Sequence, residues 1–192
     1  MKHSIHFILC LISVIMILSS CTVARFIDDD ELFLSSVNVV SDKPAETKQL
    51  ALKDYIRQTP NTKWFGIKIP LSIYCLSGVD TTNWATRFFR RIGEDPVIYD
   101  EAKSLSTQSD LLQVLNNNGF MHAQVSEQKL VNNHKLRLTY SISSGAQYHI
   151  RSFSKRIEDT TIRDLLLGED TLHSLVHEGM VFNVNILNEE RN

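Results

Sequence analysis

The sequence has little cysteine, and what it has does not suggest a disulfide framework. Three cysteines occur in 192 residues, at Cys10, Cys21 and Cys75. The first two fall in an N-terminal segment that has the features of an export signal, so only Cys75 remains and we expect it to stay unpaired. We therefore expect neither disulfides nor a structural metal to stabilise this chain.

The sequence also lacks an excess of charge and the common catalytic motifs. The 20 basic and 22 acidic residues nearly cancel, which gives no reason to expect a nucleic-acid partner. It contains no glycine-rich phosphate loop and no Gly-x-Ser-x-Gly motif. His173 and His177 are spaced like a zinc pair, but Glu178 follows the second histidine and no motif places a third ligand, so we interpret them as surface residues. We expect no catalytic residues, no metal and no cofactor.

The N-terminal hydrophobic run is too short to cross a membrane. Ile5 to Leu18 is almost entirely apolar, whereas a helix needs about 20 residues to span a hydrocarbon core of ~30 Å. The run leads into Leu18-Ser19-Ser20-Cys21, which resembles the lipobox of bacterial lipoproteins. We predict a signal peptide at residues 1–20 and lipidation, such as palmitoylation, at Cys21. An ordinary secretory signal with an incidental cysteine stays open as the alternative.

The next residues are predicted to form a tether and the start of an α+β unit. Residues 21–33 contain an acidic run, Asp28 to Glu31, without the alternating ligands and the glycine of a calcium loop, so we expect a solvated linker. Valines favour a strand near 34–40. The spacing of apolar residues favours a helix near 47–57.

Residues 58–95 differ in character from the rest and contain both tryptophans. Within them, residues 83–92 have the pattern of an amphipathic helix, with apolar residues on one side and arginines on the other. Two interpretations stay open, packing onto the domain and contact with lipid headgroups. The candidate membrane or partner contacts are Trp84, Arg87, Phe88, Arg90 and Arg91.

The clearest helix pattern begins at Tyr99-Asp100 and ends at Asn118-Gly119. Glycine can take the left-handed conformation that commonly follows a helix end. A break near Ser106 to Ser109 stays open.

A hairpin is predicted after this helix. A strand near 122–130 leads to Asn132-Asn133, which suits a tight turn with positive φ, and residues 135–142 alternate between apolar and polar. A helix followed by an antiparallel hairpin, with a preceding strand, predicts an α+β fold.

The pattern around the start of the helix occurs twice. Val97-Ile98-Tyr99-Asp100 matches Met180-Val181-Phe182-Asn183, an apolar pair, an aromatic and a helix N-cap. A new strand is predicted to open at Tyr148, Ile150 and Phe153, with a short helix at 160–167. We therefore predict two related domains, 34–145 with an insertion at about 58–95, and 146–192, which we expect to be incomplete because its hairpin is missing.

These units resemble POTRA domains, the periplasmic repeats of the outer-membrane protein insertases BamA and TamA. The resemblance rests on Asn-Asn-Gly-Phe-Met-His-Ala-Gln-Val at 117–125, on the junction at 144–150 and on Phe182-Asn183 with the residues after it. It covers 97–192 and, less closely, 34–57. Residues 57–66 and 84–93 look like an insertion of lipid-anchored members from Bacteroidetes-type bacteria.

The resemblance implies a β-α-α-β-β fold and a periplasmic role at the outer membrane. The barrel on which insertase activity depends is not in this sequence, so that activity is not carried over. What the resemblance implies is binding of unfolded outer-membrane proteins or partner subunits. A three-stranded sheet has open edges, so an extended segment could add as a strand at 122–130 or 34–40. That the insertion or the neighbouring domain covers both edges stays open as the alternative. A generic periplasmic lipoprotein binding module, or a fragment without function, stays open.

Overall fold

The chain folds as an α+β protein with one three-stranded sheet. The computed structural model describes residues 23–78, 82–154, 158 and 174–191. The candidate signal peptide, Cys21, the helix expected at 160–167 and His173 lie outside them. The strands are β1 (Phe33–Ser41), β2 (Gln124–Asn132) and β3 (Lys135–Ser143), in the order β1-β3-β2. The helices in the described part are α1 (Pro44–Thr47), α2 (Ile69–Leu76), α3 (Trp84–Ile92), α4 (Glu101–Asn117) and α5 (Val184–Arg191).

The sheet is mixed, and β3 is its central strand. The N–H of Phe33 donates to the C=O of His134 where both strands start, and the N–H of Asp42 donates to the C=O of Ile142 where both end, so β1 and β3 are parallel. β2 and β3 form an antiparallel hairpin. Its turn residues, Asn133 and His134, have φ of 50° and 62°. The turn expected at Asn132-Asn133 is therefore one residue further on, since Asn132 ends β2.

The alternation predicted for β3 is confirmed. Its apolar set is buried and its polar set is mostly exposed. A central strand is paired on both edges, so only its side chains distinguish the two faces of the sheet. The buried residues are Leu136, Leu138, Tyr140 and Ile142.

The long helix α4 is continuous, so the break considered at 106–109 is absent. Its buried face includes Ser104 and Thr107 as well as Leu111 and Leu115, at intervals of three and four residues. The small polar residues keep the helical period although they weaken the hydrophobic signal in the sequence. Asp100 caps the helix, because its Oδ1 accepts from the N–H of Lys103 at 3.2 Å.

Two predicted elements are wrong in detail. The helix expected at 47–57 is replaced by α1 and two 3-10 turns, Lys48–Leu50 and Leu52–Tyr55. Ala51 separates these turns with φ of 45°, a left-handed conformation that no continuing helix contains. The strand expected at 148–153 is reduced to a single bridge between His149 and Val181.

The predicted repeat has a structural counterpart in its backbone hydrogen bonds. In the first copy the N–H of Leu34 donates to Val97 and the N–H of Tyr99 donates to Leu32, at 2.8 Å each. These bonds enclose an antiparallel bridge between Phe33 and Ile98.

The second copy has the same pattern. The N–H of Ile150 donates to Met180 at 2.8 Å and that of Phe182 donates to Tyr148 at 2.9 Å. Asn183 then caps α5, because its Oδ1 accepts from the N–H of Ile186 at 3.3 Å. In the first copy Asp100 likewise accepts from the N–H three residues later, that of Lys103. Each four-residue motif therefore ends a bridge and starts a helix.

The contacts divide the chain into two compact units that interleave in sequence. One contains the described residues up to Asn38, with Ile56–Ser104 and Glu127–Thr139; the other contains Val39–Tyr55, Leu105–Ser126 and the described residues from Tyr140. The predicted domain limits at 34, 145 and 192 stay a prediction.

The predicted insertion closes at its two ends through buried amide side chains. Gln58 donates to the C=O of Ile98 and accepts from the N–H of Asp100. Asn61 donates to the C=O of Asp95 at 2.7 Å and accepts from the N–H of Val97 at 3.1 Å. These amides satisfy backbone groups within and on both sides of the bridge segment, so the beginning and the end of the insertion are held together.

The expected tether is packed in part. Val23 is buried with Phe33 and Leu71, and Phe26 meets the ring of Tyr74 edge to face at 5.5 Å. The acidic residues Asp28, Asp29 and Asp30 are exposed, as expected for a solvated run.

Cys75 is disulfide-bonded, so the expectation that it stays unpaired is wrong. The expectation treated Cys10 and Cys21 as removed or acylated. It did not foresee that the residues just after Cys21 pack onto α2, where Val23 lies in the same cluster as Cys75.

Gly119 is predicted to be essential for the start of the second copy. Its φ is +88°, and an added Cβ would lie 3.0 Å from the carbonyl oxygen of Tyr148 and 3.1 Å from that of Phe182. We expect Gly119→Ala to lower the free energy of unfolding by about 2 kcal/mol, because left-handed strain and backbone crowding add. Gly179→Ala is the control, since Gly179 has φ of +84° but open space around it. If urea unfolding showed the same loss of stability in both variants, crowding at Gly119 would be contradicted.

Candidate functional site

The outer edge of β2 has no neighbouring strand in the described part of the chain. The two-residue turn sets the register of the hairpin, so Asn132 pairs with Lys135 and Ser126 lies opposite Ser141. The hydroxyl of Ser126 donates to the C=O of Ser141 at 3.4 Å, in agreement with this register. In such a ladder the N–H and C=O groups of alternate residues point away from the partner strand. The outward groups of β2 therefore belong to Val125, Glu127, Lys129 and Val131.

A charged cluster lies on this edge. Lys129 Nζ is 2.7 Å from Glu127 Oε1 and 3.7 Å from Glu101 Oε1. Glu127 also accepts from the hydroxyl of Ser104 and, at 3.4 Å, from that of Tyr99. Lys129 lies over the ring of Tyr99, 4.7 Å from its centroid. The cluster links the beginning of α4 to the middle of β2.

These contacts keep the cluster ionised. Burial alone would raise the pKa of the Glu127 carboxyl, but hydrogen bonds from Lys129 and Ser104 outweigh it, so the pKa lies below the usual range. The hydrogen bond with Glu127 raises the pKa of Lys129. Charged side chains on an edge strand discourage unspecific pairing with other strands.

The edge of β1 is partly covered. The bridge to Ile98 occupies its start, and the ammonium of Lys68 donates to the C=O of Ser35 at 2.9 Å. Beyond it, a mainly apolar cavity of about 510 Å³ lies between Val39, Ser41 and the turns at 44–54.

Helix α3 places the candidate contacts on two faces that differ from the predicted ones. Trp84, Phe88 and Ile92 share the exposed face with Arg87 and Arg91, at intervals of three and four residues. Arg90 lies on the inner side, with its guanidinium 5.4 Å from the centroid of Tyr74. The expected division into an apolar side and a basic side is therefore wrong, because the inner face is formed by Thr86, Phe89 and Arg90 with Gly93 at the end.

Close backbone packing explains this orientation. The hydroxyl of Thr86 donates to the C=O of Ser77 at 3.0 Å. A Cβ on Gly93 would lie 2.6 Å from the backbone nitrogen of Tyr74. Helices α2 and α3 therefore approach through small residues, a feature that a hydrophobic count of the sequence does not reveal.

The sequence also points to Cys21 and to the pair His173 and His177 as candidates. Cys21 and His173 lie outside the described residues, and His177 lies in a turn before α5. The described ranges contain no group of three or more potential metal-ligating side chains, and none of their helices is long and apolar enough to cross a membrane.

Comparisons with known proteins identify no relative. A scan against models of protein families finds no match, and a search of curated proteins finds no match either. The structure shows the α+β fold, and support for a function comes from its exposed surfaces.

Lys68 is predicted to make the free energy of unfolding increase with pH in the alkaline range. Its half-buried ammonium lies 4.4 Å from the centroid of the Phe33 ring, and burial, with repulsion from Lys63, lowers its pKa from 10.5 to about 8. Between these values the unfolded chain binds more protons, so this group adds stability as pH rises from about 8 to 10.5. Lys68→Met should remove that gain in urea unfolding, and the exposed Lys53→Met should keep it. An unchanged gain in the Lys68 variant would contradict the assignment.

Proposed function

We propose that this chain is a lipid-anchored, periplasmic POTRA-like scaffold that holds extended segments of other proteins at the outer membrane. Its clients are unfolded outer-membrane proteins or subunits of an assembly complex. An extended client segment adds as a fourth strand beside β2. A lipid on Cys21 keeps the scaffold at the periplasmic face of the outer membrane. Lipidation consumes the thiol of Cys21, and removal of the signal peptide removes Cys10, so the lipidated form is one in which Cys75 has no disulfide within the chain.

The observation that supports this proposal is the outer edge of β2, which has no neighbouring strand among the described residues. The strand has nine residues, Gln124–Asn132, and most of its side chains are exposed. At about 3.4 Å per residue, nine residues offer an edge of roughly 30 Å, the length of a strand that crosses a bilayer. Main-chain pairing recognises an extended backbone and tolerates many sequences, which suits a protein with varied clients.

Edge β2 is a better site than edge β1 for a long client. The start of β1 already pairs with the bridge segment, and the ammonium of Lys68 occupies the C=O of Ser35. On β2 the exposed apolar side chains of Leu130 and Val131 lie beside the outward backbone groups. These side chains supply apolar contact to a client strand without fixing its sequence.

The repeated bridge supports a scaffold of successive units. The second copy starts with the same hydrogen bonds and the same capped helix as the first. Gln147 and Asn183 both hydrogen-bond to Asn118 at the end of α4, at 3.1 and 2.9 Å. A chain of units that each begin with the same bridge and capped helix suits a scaffold of repeated units.

The proposal predicts that one backbone N–H on β2 matters for binding. Val131→Pro removes an outward N–H and leaves the ladder to β3 intact, because the N–H of Val131 does not face β3. A hydrogen bond contributes about 1 kcal/mol, so affinity for a peptide from a transmembrane β-strand should fall about fivefold. Fluorescence anisotropy with a labelled peptide measures the change.

The matched control is Val131→Ala, which shortens the same side chain and keeps the N–H. It should bind the peptide nearly as well as the unsubstituted protein. Equal weakening by alanine and proline would mean that the peptide contacts the side chain instead of the strand edge. Urea unfolding of both variants establishes that the fold is retained.

A further inference from the structure

The part of the chain between Asn61 and Gly93 exposes an unusual set of large aromatic side chains. Phe65 is 99% exposed and Trp84 is 77% exposed. Trp64 and Phe88 are each about half exposed as well. Both tryptophans of the chain belong to this set. Single exposed apolar residues are ordinary, but several aromatics that project from one small substructure indicate a surface used for contact.

The exposed stripe of α3 combines these aromatics with cations. Trp84, Arg87, Phe88, Arg91 and Ile92 follow the intervals of one helical face. The opposite face is fixed to α2, where the N–H of Glu94 also donates to the C=O of Pro70 at 3.1 Å. The stripe is therefore held outward by the packing of the other face.

The loop before α2 presents Phe65 at the tip of a tight turn. Trp64 and Ile67 exchange backbone hydrogen bonds at 2.8 and 3.0 Å, and the residues between them, Phe65 and Gly66, have φ of 52° and 82°. Asparagine followed by glycine is the usual pair in such a turn. A bulky aromatic in a left-handed position is unfavourable, and full exposure adds to its cost, so a contact made by Phe65 explains its presence.

We propose that Trp64 and Phe65 lie on the same side of the molecule as the α3 stripe, and that together they form a surface that docks on a phospholipid bilayer with anionic headgroups. Tryptophan and phenylalanine favour the headgroup boundary, where their rings leave water. The guanidinium groups of Arg87 and Arg91 pair with phosphates, and Lys63 adds a charge beside Trp64. A mixed aromatic and basic stripe fits the two layers of a membrane interface, apolar below and anionic above.

The N-terminal segment supplies continuity with the membrane. Val23, two residues after Cys21, packs with Leu71 of α2, and Phe26 packs on Tyr74 of the same helix. A lipid on Cys21 would be attached two residues before the part of the chain that packs on α2, the helix on which α3 also packs. The docking surface does not depend on strand addition at β2, so a negative result for one proposal leaves the other unaffected.

Tryptophan emission tests the docking directly, because both tryptophans lie on the surface in question. The full chain is titrated with vesicles of phosphatidylcholine mixed with phosphatidylglycerol and with vesicles of phosphatidylcholine alone. We expect a blue shift and an increase in emission with the anionic vesicles, weakened by salt. Emission that does not change with either vesicle overturns the proposal, even if the hydrophobic N-terminal segment brings the protein to the vesicles. Such a result would favour an acidic protein as the partner of this surface instead of a membrane.

Charge reversal separates this surface from general electrostatic attraction. Arg87→Glu together with Arg91→Glu should lower the affinity measured by the emission shift about tenfold or more, since each basic residue near an anionic surface contributes several-fold. Lys48→Glu together with Lys53→Glu makes the same change in net charge at exposed lysines outside the surface, and should have a much smaller effect. Equal losses in the two double variants would overturn the proposal.

Phe65→Asn tests the turn without a risk to folding. Asparagine tolerates positive φ, so the variant should be as stable as the unsubstituted protein or more stable. Its affinity for anionic vesicles should fall severalfold, because an aromatic anchor is lost. Unchanged affinity would remove Phe65 from the docking surface and contradict the explanation given for its strained position.

Discussion

The antiparallel bridge between Leu32–Leu34 and Val97–Tyr99 is the constraint on which the architecture depends. It joins the start of the first strand to the residues that begin α4, and Gln58 and Asn61 hold its other side. Since the bridge lies on the outer side of β1, it covers part of one sheet edge and leaves the edge at β2 without a neighbour in the described residues. The same bridge recurs at Tyr148–Ile150 and Met180–Phe182, and each time a capped helix follows. The position of the open edge and the start of the next unit therefore follow from one short hydrogen-bonded motif.

Elements with strong periodicity could be predicted from the sequence. The alternation of Leu136, Leu138, Tyr140 and Ile142 requires one buried face, and that requirement is local. The N-caps at Asp100 and Asn183 and the left-handed Gly119 depend on residues within one turn, and all three are found. The α+β fold class follows from these elements together. The prediction of a helix at 47–57 was wrong because Ala51 is left-handed and interrupts the helix, and no residue pattern in the sequence indicates this conformation.

The features that create the surfaces depend on contacts between distant residues. Gln58 and Asn61 read as polar loop residues, yet they bind backbone groups about forty residues away. The face of α3 could not be predicted, because Thr86 and Gly93 turn it toward α2 through polar and backbone contact and leave Trp84 and Phe88 outside. The disulfide at Cys75 was not expected, because Cys10 was assigned to a cleaved signal and Cys21 to lipidation. In each case a contact between residues distant in the sequence decided the outcome.

Amide hydrogen exchange at β2 tests the central claim most directly, because it reports each backbone group of the edge separately. In the free protein the N–H groups of Ser126, Gln128 and Leu130, which face β3, should exchange slowly, and those of Val125, Lys129 and Val131 should exchange fast. Addition of a peptide from a transmembrane β-strand should slow the second set alone. Slow exchange of the second set without peptide, or fast exchange that a bound peptide leaves unchanged, would contradict an open edge that receives client strands.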